Sequence, residues 1–484
     1  MSELLPRTLA EQLAAFAART ADAGAPKPVR ASVRQRILDV LGLQAAALAL
    51  PTSEAALSFV LEQGGAEQAH VVGSCQRVPA AWAAFANGVL AHSLDYDDTH
   101  LPSILHPSAS VVPAAIAAGE LAEADGTRVM DAAAVGIETV VRLGMAGYDR
   151  SSNNSVFFEH GQHATSICGA VGSAVAAVAL LGDGEQAVVD AIGVAASMAS
   201  GIIEANRTGG TVKRLHCGWA AHAGVTAAQL VAKGFTGPPT ALEGRFGFFE
   251  AFLHGVVALD EVSVGLGEHW EVPGIFFKPY PANHFTHTGL DAAARLRAKG
   301  LAASDVEEAV LGVATPTVRT IGEPLTVKQR PETGYQAQFS GPYMVALGLL
   351  GGGGLGASLD DFSDDFARDP TRRELMGRVR VEADAACDEI YPHQFPAILR
   401  VRTRDGSHLE EQVLANRGGP ADPLSDAEIA TKFETNALRS FPPDRVEAVA
   451  AFCADLEHRT DVRGLTSPFA QPSSPGAVTG EAYS

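Results

Sequence analysis

Residues 92–107 read HSLDYDDTHLPSILHP, so three aspartates, a threonine and three histidines share one short connection. Asp95, Asp97 and Asp98 are too many like charges for a packing role, because neighbouring carboxylates raise one another's pKa unless a cation or a ligand intervenes. Capping of the next helix and plain solvated charge are the bland alternative, since Asp and Ser are ordinary capping residues. Carboxylates and imidazoles held this close can take up and return protons, which makes acid–base chemistry the expectation.

Three further clusters can join this loop. GQHATSICGAVG puts His163 at the start of an Ala/Gly-rich helix, where unpaired backbone N–H groups favour an anion. NRTGGTVKRLHCGWAAHAG sets Lys213, Arg214 and His216 at the end of a Gly-containing loop, aiming cations at a pocket. In FFKPYPANHFTH, prolines stiffen the turn that carries Lys278 and hold a long cation at low entropic cost. LEGRFGFFEAF and YQAQFSGPYMVA are read instead as aromatic packing faces. No nucleophile motif accompanies these groups: there is no G-x-S-x-G, no P-loop and no usable G-x-G-x-x-G. Glycines 351–354 end a helix and do not cradle phosphate, since no strand precedes them. The set suits proton abstraction next to a carboxylate, with cations stabilising the developing enediolate.

The elements that must position these residues are mostly helical. Two amphipathic patterns fill residues 9–50, the second with Val33, Ile37, Val40, Leu41 and Ala45 on one face. A short β-like segment follows at 69–74, then the Ala-rich run AAWAAFANGVLA that leads into the loop. Helices are expected near 108–124, 129–145, 163–181, 185–204 and 218–233. Residues 1–272 therefore read as a helical domain. Residues 273–415 read as an α+β domain, with a hairpin turning at Asp405–Gly406. Residues 416–470 return to helix and pack back on the first domain, and 471–484 form a disordered tail.

Composition narrows the function classes. Among 484 residues, 46% are hydrophobic and 19% charged, and the net charge of −20 argues against a nucleic-acid partner. Five scattered cysteines without a C-x-x-C pair suggest neither a disulfide framework nor a zinc site. MSELLPRTLAEQL lacks a signal peptide's basic start and apolar core, from which a cytoplasmic location is expected. The apolar stretch 164–181 is rich in Ala, Gly and Ser and is read as a helix buried among helices, not a membrane span.

The ordered motifs HSLDYDDTH with HPSAS, GQHATSICGAVGSA, KRLHCGWAAHAGVTAAQLVAKGFTGPPTALEGRFGFF, KPYPANHFTH and QFSGPYMVA resemble the MmgE/PrpD family from about residue 8 to residue 455. The family includes 2-methylcitrate dehydratase, cis-aconitate decarboxylase and iminodisuccinate epimerase. The resemblance implies a mostly α fold, a large helical domain built from both chain ends with a smaller inserted α+β domain, and a homodimer. It also implies metal- and cofactor-free chemistry on a small di- or tricarboxylate. Carried over, the family's catalytic positions are Asp95, Thr99, His106 and His163, with Lys213, Lys278 and His216 binding substrate. Either Asp95 or His163 would move the proton. The leading expectation is a dehydratase-like lyase. An epimerase, a decarboxylase and a carboxylate-binding protein without turnover are the alternatives. The interval from Thr99 to His106 is one residue longer than in the cis-aconitate decarboxylases, and Asn283 stands where they carry a histidine.

Overall fold

The computed structural model describes residues 7–151, 154–205 and 210–469. The tail expected at 471–484 and residues 206–209 of the loop before Lys213 lie outside that range. The chain forms two compact units, one reaching Ile275 and taking up the chain again at Asn436, the other spanning Phe276–Thr435. The division falls inside the helix Asp426–Ala437.

The first unit is helical because apolar residues recur at helical spacing and its ends are capped. Thr8 and Glu11 close a capping box on Leu9–Ala23, and Asp125 accepts from the backbone of Arg128 to start Gly126–Ala146. At its centre lies Ala164–Leu181, packed by Gly126–Ala146, Ser108–Leu121, Gly184–Met198 and Val212–Val231. It is the one described helix long and apolar enough to cross a membrane, and 89% of it is buried inside the fold, as the reading of a core helix expects.

Small residues let these helices approach at backbone distance. A Cβ on Gly218 would lie 2.5 Å from the carbonyl oxygen of Phe85, and one on Gly88 would lie 2.8 Å from Cα of Gly218. The helices Ala80–His92 and Val212–Val231 therefore cross in direct backbone contact. That crossing brings the start of the second helix alongside the loop that leaves the first.

The end of the described chain closes this unit. Ser440 donates to the carbonyl of Ala45 at 2.8 Å, the helix Pro443–Ala454 packs on Lys27–Ala47, and Thr466 donates to Glu120 at 2.7 Å.

The second unit holds a four-stranded mixed sheet. Its strand order is Val379–Ala383, Val306–Val313, Ala397–Thr403 and His408–Val413, parallel between the first two and antiparallel thereafter. The hairpin turns where expected, with Gly406 at φ 84°. Helices His287–Ala298 and Gly341–Leu350 pack on the sheet around Leu290, Leu311, Met344 and Leu399. Residues 333–350 hold two helices, Gly334–Ala337 and Gly341–Leu350, because Ser340 accepts from the backbone of Tyr343 and starts a new helix with Pro342 in its first turn.

Candidate active site

The 92–107 loop begins where Ala80–His92 ends and delivers its chain into Ser108–Leu121. Its backbone turns sharply twice, with Asp95 at φ 53° and Ile104 at φ 54°. Aspartate tolerates the left-handed region better than most residues, and non-glycine residues held there concentrate at functional sites. The Ile104 turn is pinned by reciprocal backbone hydrogen bonds between His100 and Leu105.

Each of the three aspartates has a different partner. Asp95 accepts from Nζ of Lys213 at 3.1 Å in a partly exposed pair. Asp97 accepts from Nδ1 of His92 at 2.7 Å, and both side chains are fully buried. Asp98 accepts from Nη1 of Arg36 at 2.7 Å and from the hydroxyl and backbone N–H of Ser108. Burial pushes the Asp98 carboxyl up, and Arg36 with Ser108 offsets only part of that rise. The second guanidinium nitrogen of Arg36 donates to the carbonyls of Val272 and Ile275, so the pair ties the loop to another part of the unit.

Four imidazoles form a row behind the loop. Ring centroids are 5.4 Å apart for His106 and His92, 5.7 Å for His92 and His163, and 4.8 Å for His163 and His216. His106 donates from Nδ1 to the carbonyl of Asp98 at 2.6 Å, with the Thr99 hydroxyl 3.2 Å from the same nitrogen. A carbonyl only accepts, so the proton sits on Nδ1 and Nε2 is the basic nitrogen.

His163 and His216 share one hydrogen bond between their Nδ1 atoms at 2.8 Å, so one ring donates and the other accepts. Burial, with positive charge on His92 and neighbours including Lys213, pushes His163 well below the ordinary histidine range. Burial first, then His92 and Lys213, takes His216 down to about 4. Both rings are neutral at neutral pH, which fits opposite tautomers joined by that bond.

Six of the seven expected site residues, Asp95, Thr99, His106, His163, Lys213 and His216, thus gather in the first unit. Lys278 is buried within the second unit, where the backbone of its neighbour Phe277 donates to Gly418. Lys213, Arg214 and His216 stand in the first turns of Val212–Val231, not in a loop before a helix starting at 218. Nothing in VKRLHCG breaks a helix, and the glycine at 218 serves the crossing described above. Arg214 turns away to donate to Thr52. Asn283 caps a short turn by accepting from Phe285, a backbone role that asparagine fills well.

Sequence reasoning passed over Arg36 and the pairing of His92 with Asp97. The signal for Arg36 was its position on the buried stripe of Lys27–Ala47, beside Ile37 and one turn from Val33 and Val40. A charge on an apolar stripe has a buried partner. For cation binding, His92, Asp97 and Cys217 form one group whose candidate ligand atoms lie within 4.8 Å. The donor set fits a metal poorly. His92 and Asp97 satisfy each other, and burial pushes the Cys217 thiol well above its ordinary range, so it stays protonated.

The family models for the MmgE/PrpD N-terminal domain and the MmgE/PrpD C-terminal domain match residues 11–258 and 280–457. The chain belongs to the MmgE/PrpD family. Within this family it is 31% identical to the cis-aconitate decarboxylase of Homo sapiens over 82% of this chain and 81% of that one. It is 28% identical to the cis-aconitate decarboxylase of Aspergillus terreus (strain NIH 2624 / FGSC A1156) over 91% of each. The 2-methylcitrate dehydratase of Cupriavidus necator aligns at 26% over 48% of each chain. The mostly α architecture with a smaller α+β part is that expected of an MmgE/PrpD protein, and the chain is an enzyme of this family. A carboxylate-binding protein without turnover would be favoured by a Lys213 or His163 exposed to solvent and apart from the loop; His163 is buried and Lys213 pairs with Asp95.

Proposed function

We propose that this MmgE/PrpD enzyme is a lyase that decarboxylates a tricarboxylate of the cis-aconitate kind. The reading rests on one observation: similarity to cis-aconitate decarboxylases runs through 82–91% of the chain, whereas similarity to 2-methylcitrate dehydratase covers 48%. Decarboxylation is therefore preferred to the dehydratase-like reaction that the sequence motifs first suggest.

The geometry supports the chemistry. Lys213 offers a partly exposed ammonium whose Asp95 partner a substrate carboxylate can replace or share, and His106 presents Nε2 at the other end of the imidazole row. The resemblance assigns Lys278 the same carboxylate-holding task, and that assignment is part of the proposal. When the C–C bond to one carboxyl group breaks, CO2 leaves and the electron pair spreads through the adjoining double bond into a second carboxylate. Fixed cations stabilise that charge as it develops. The carbon then takes a proton. His163 is neutral without substrate, but three carboxylates beside it favour its charged form, so binding loads the proton that the carbon later receives. A cytoplasmic homodimer is the assembly and setting that go with this reading.

Proton NMR of the purified protein with cis-aconitate in D₂O tests it. The expected result is loss of the substrate signals, CO2 release and one deuterium on the product carbon. Conversion of methylcitrate without CO2 release would replace decarboxylation by dehydration, and inertness toward both acids would overturn both.

A further inference from the structure

Within the row of four imidazoles, His92 has a carboxylate, Asp97, in hydrogen-bond contact, and the same oxygen lies 4.0 Å from Nδ1 of His106. Nδ1 of His92 lies 2.7 Å from Asp97, and neither side chain is exposed to solvent. An ionised carboxylate only accepts, so Nδ1 of His92 carries a fixed proton and Nε2 is the nitrogen that can exchange one. That Nε2 is buried with no hydrogen-bond partner among the described residues. A buried polar atom left so is costly, and such exceptions call for an explanation in function. The His92 ring lies between His106 and His163, the two histidines assigned to substrate and proton transfer.

We infer that His92 and Asp97 form the internal proton store of this site, Asp97 fixing the Nδ1 proton while Nε2 passes a second proton to His106 or His163 and takes it back. A proton arriving on Nε2 makes an imidazolium whose charge Asp97 balances across their hydrogen bond. The same proton leaves from Nε2 to a neighbouring imidazole, and His92 returns to its neutral Nδ1–H form. Atoms and charge balance without any other reactant. A positive charge on His92 disfavours one on His163 or His216, so a proton on His92 excludes a second on its neighbours. His163 is also faced by His106, His216 and Lys213, and Asp97 and the neutral thiol of Cys217 stand beside His92. His92 thereby acts through its neighbours and is a positioning residue. The inference rests on reading this cluster as an active site, and not on which carboxylic acid it converts.

Nitrogen-15 NMR of the histidine-labelled full-length protein without substrate is the first test, because it stands even if cis-aconitate is not the substrate. His92 is expected to keep a protonated Nδ1 from pH 5 to 9, and its Nε2–H tautomer in the wild-type protein would overturn the proposal. Asp97→Asn preserves an acceptor while removing the charge. In His92→Gln the titration of His163 and His216 is expected to move upward by about half a pH unit or more, since the positive charge His92 can carry is lost while Asp97 keeps its negative one. Unchanged titration in that variant overturns the store.

The kinetic arm uses whichever acid the wild type converts. Asp97→Asn should lower kcat about 100-fold at nearly constant KM and enlarge the solvent deuterium isotope effect, as expected when proton delivery becomes limiting. A purely structural role predicts instead a changed KM or melting temperature with an unaltered isotope effect, and that result would count against it.

Discussion

Asp95 and Asp98 belong to one loop and each faces one cation, yet their surroundings are opposite. The Asp98–Arg36 pair has side-chain exposures of 2% and 1%, and Ser108 completes its shell. Asp95 and Lys213 retain 18% and 32%. A buried ion pair is costly to break because the partner left behind is an uncompensated charge, whereas a water-accessible pair contributes little to stability. The first pair therefore locks the loop into the unit. The second is available for exchange with a substrate's carboxylate. Asp97 lies between them in sequence and pairs with a histidine, which makes it neither a lock nor a binding charge.

The largest effect should follow from breaking the lock. Asp98→Ala strands the Arg36 guanidinium and should cost about 3–5 kcal/mol in chemical denaturation. Loss of activity there should track loss of folded protein. A variant with Leu at 98 and Met at 36 sharpens the point, because it removes both charges and should recover most of that stability. A cost for Asp98→Ala no greater than that of Asp95→Asn would dissolve the distinction between the two pairs.

The complementary change is Asp95→Asn together with Lys213→Ala. Each should lower turnover by about 100-fold or more while moving the unfolding free energy by less than about 1 kcal/mol. Wild-type turnover in either variant would remove this pair from the site. Thermal melts run beside the kinetics separate the two kinds of effect.

The smallest effect concerns pH. His163 and His216 are held below the ordinary histidine range, His216 at about 4, so both remain neutral where an exposed histidine would already be charged. Lowering the pH adds protons to them only below that range. The acidic limb of kcat/KM, which reports the unliganded enzyme, should accordingly lie well below pH 6.5. A limb at the ordinary histidine value would mean that neither ring's neutral form is required. It would also weaken the contrast between a dry interior row and the wetter Asp95–Lys213 pair.

Much of this was legible in the chain itself. Helical periodicity and capping residues are local properties, so Leu9–Ala23, Ala164–Leu181 and the Asp405–Gly406 turn could be read directly. The crowding of Asp, His and Thr into residues 92–107 also marked the loop, because like charges so close demand partners. Helix boundaries were less secure. The start of Val212–Val231 was missed because a glycine-rich stretch reads as loop until its glycine is seen at a helix crossing.

What the sequence by itself determined was which residues carry chemistry and which segments coil. Which aspartate meets which partner was decided only by the tertiary structure. Arg36 reaches Asp98 and Lys213 reaches Asp95 across long separations in sequence, and His92 takes Asp97 from within the loop. Nothing local distinguishes three aspartates in LDYDD. Their charges come to differ through burial and the cations that other helices bring, and both arise only when Gly88 and Gly218 let two helices close to backbone contact.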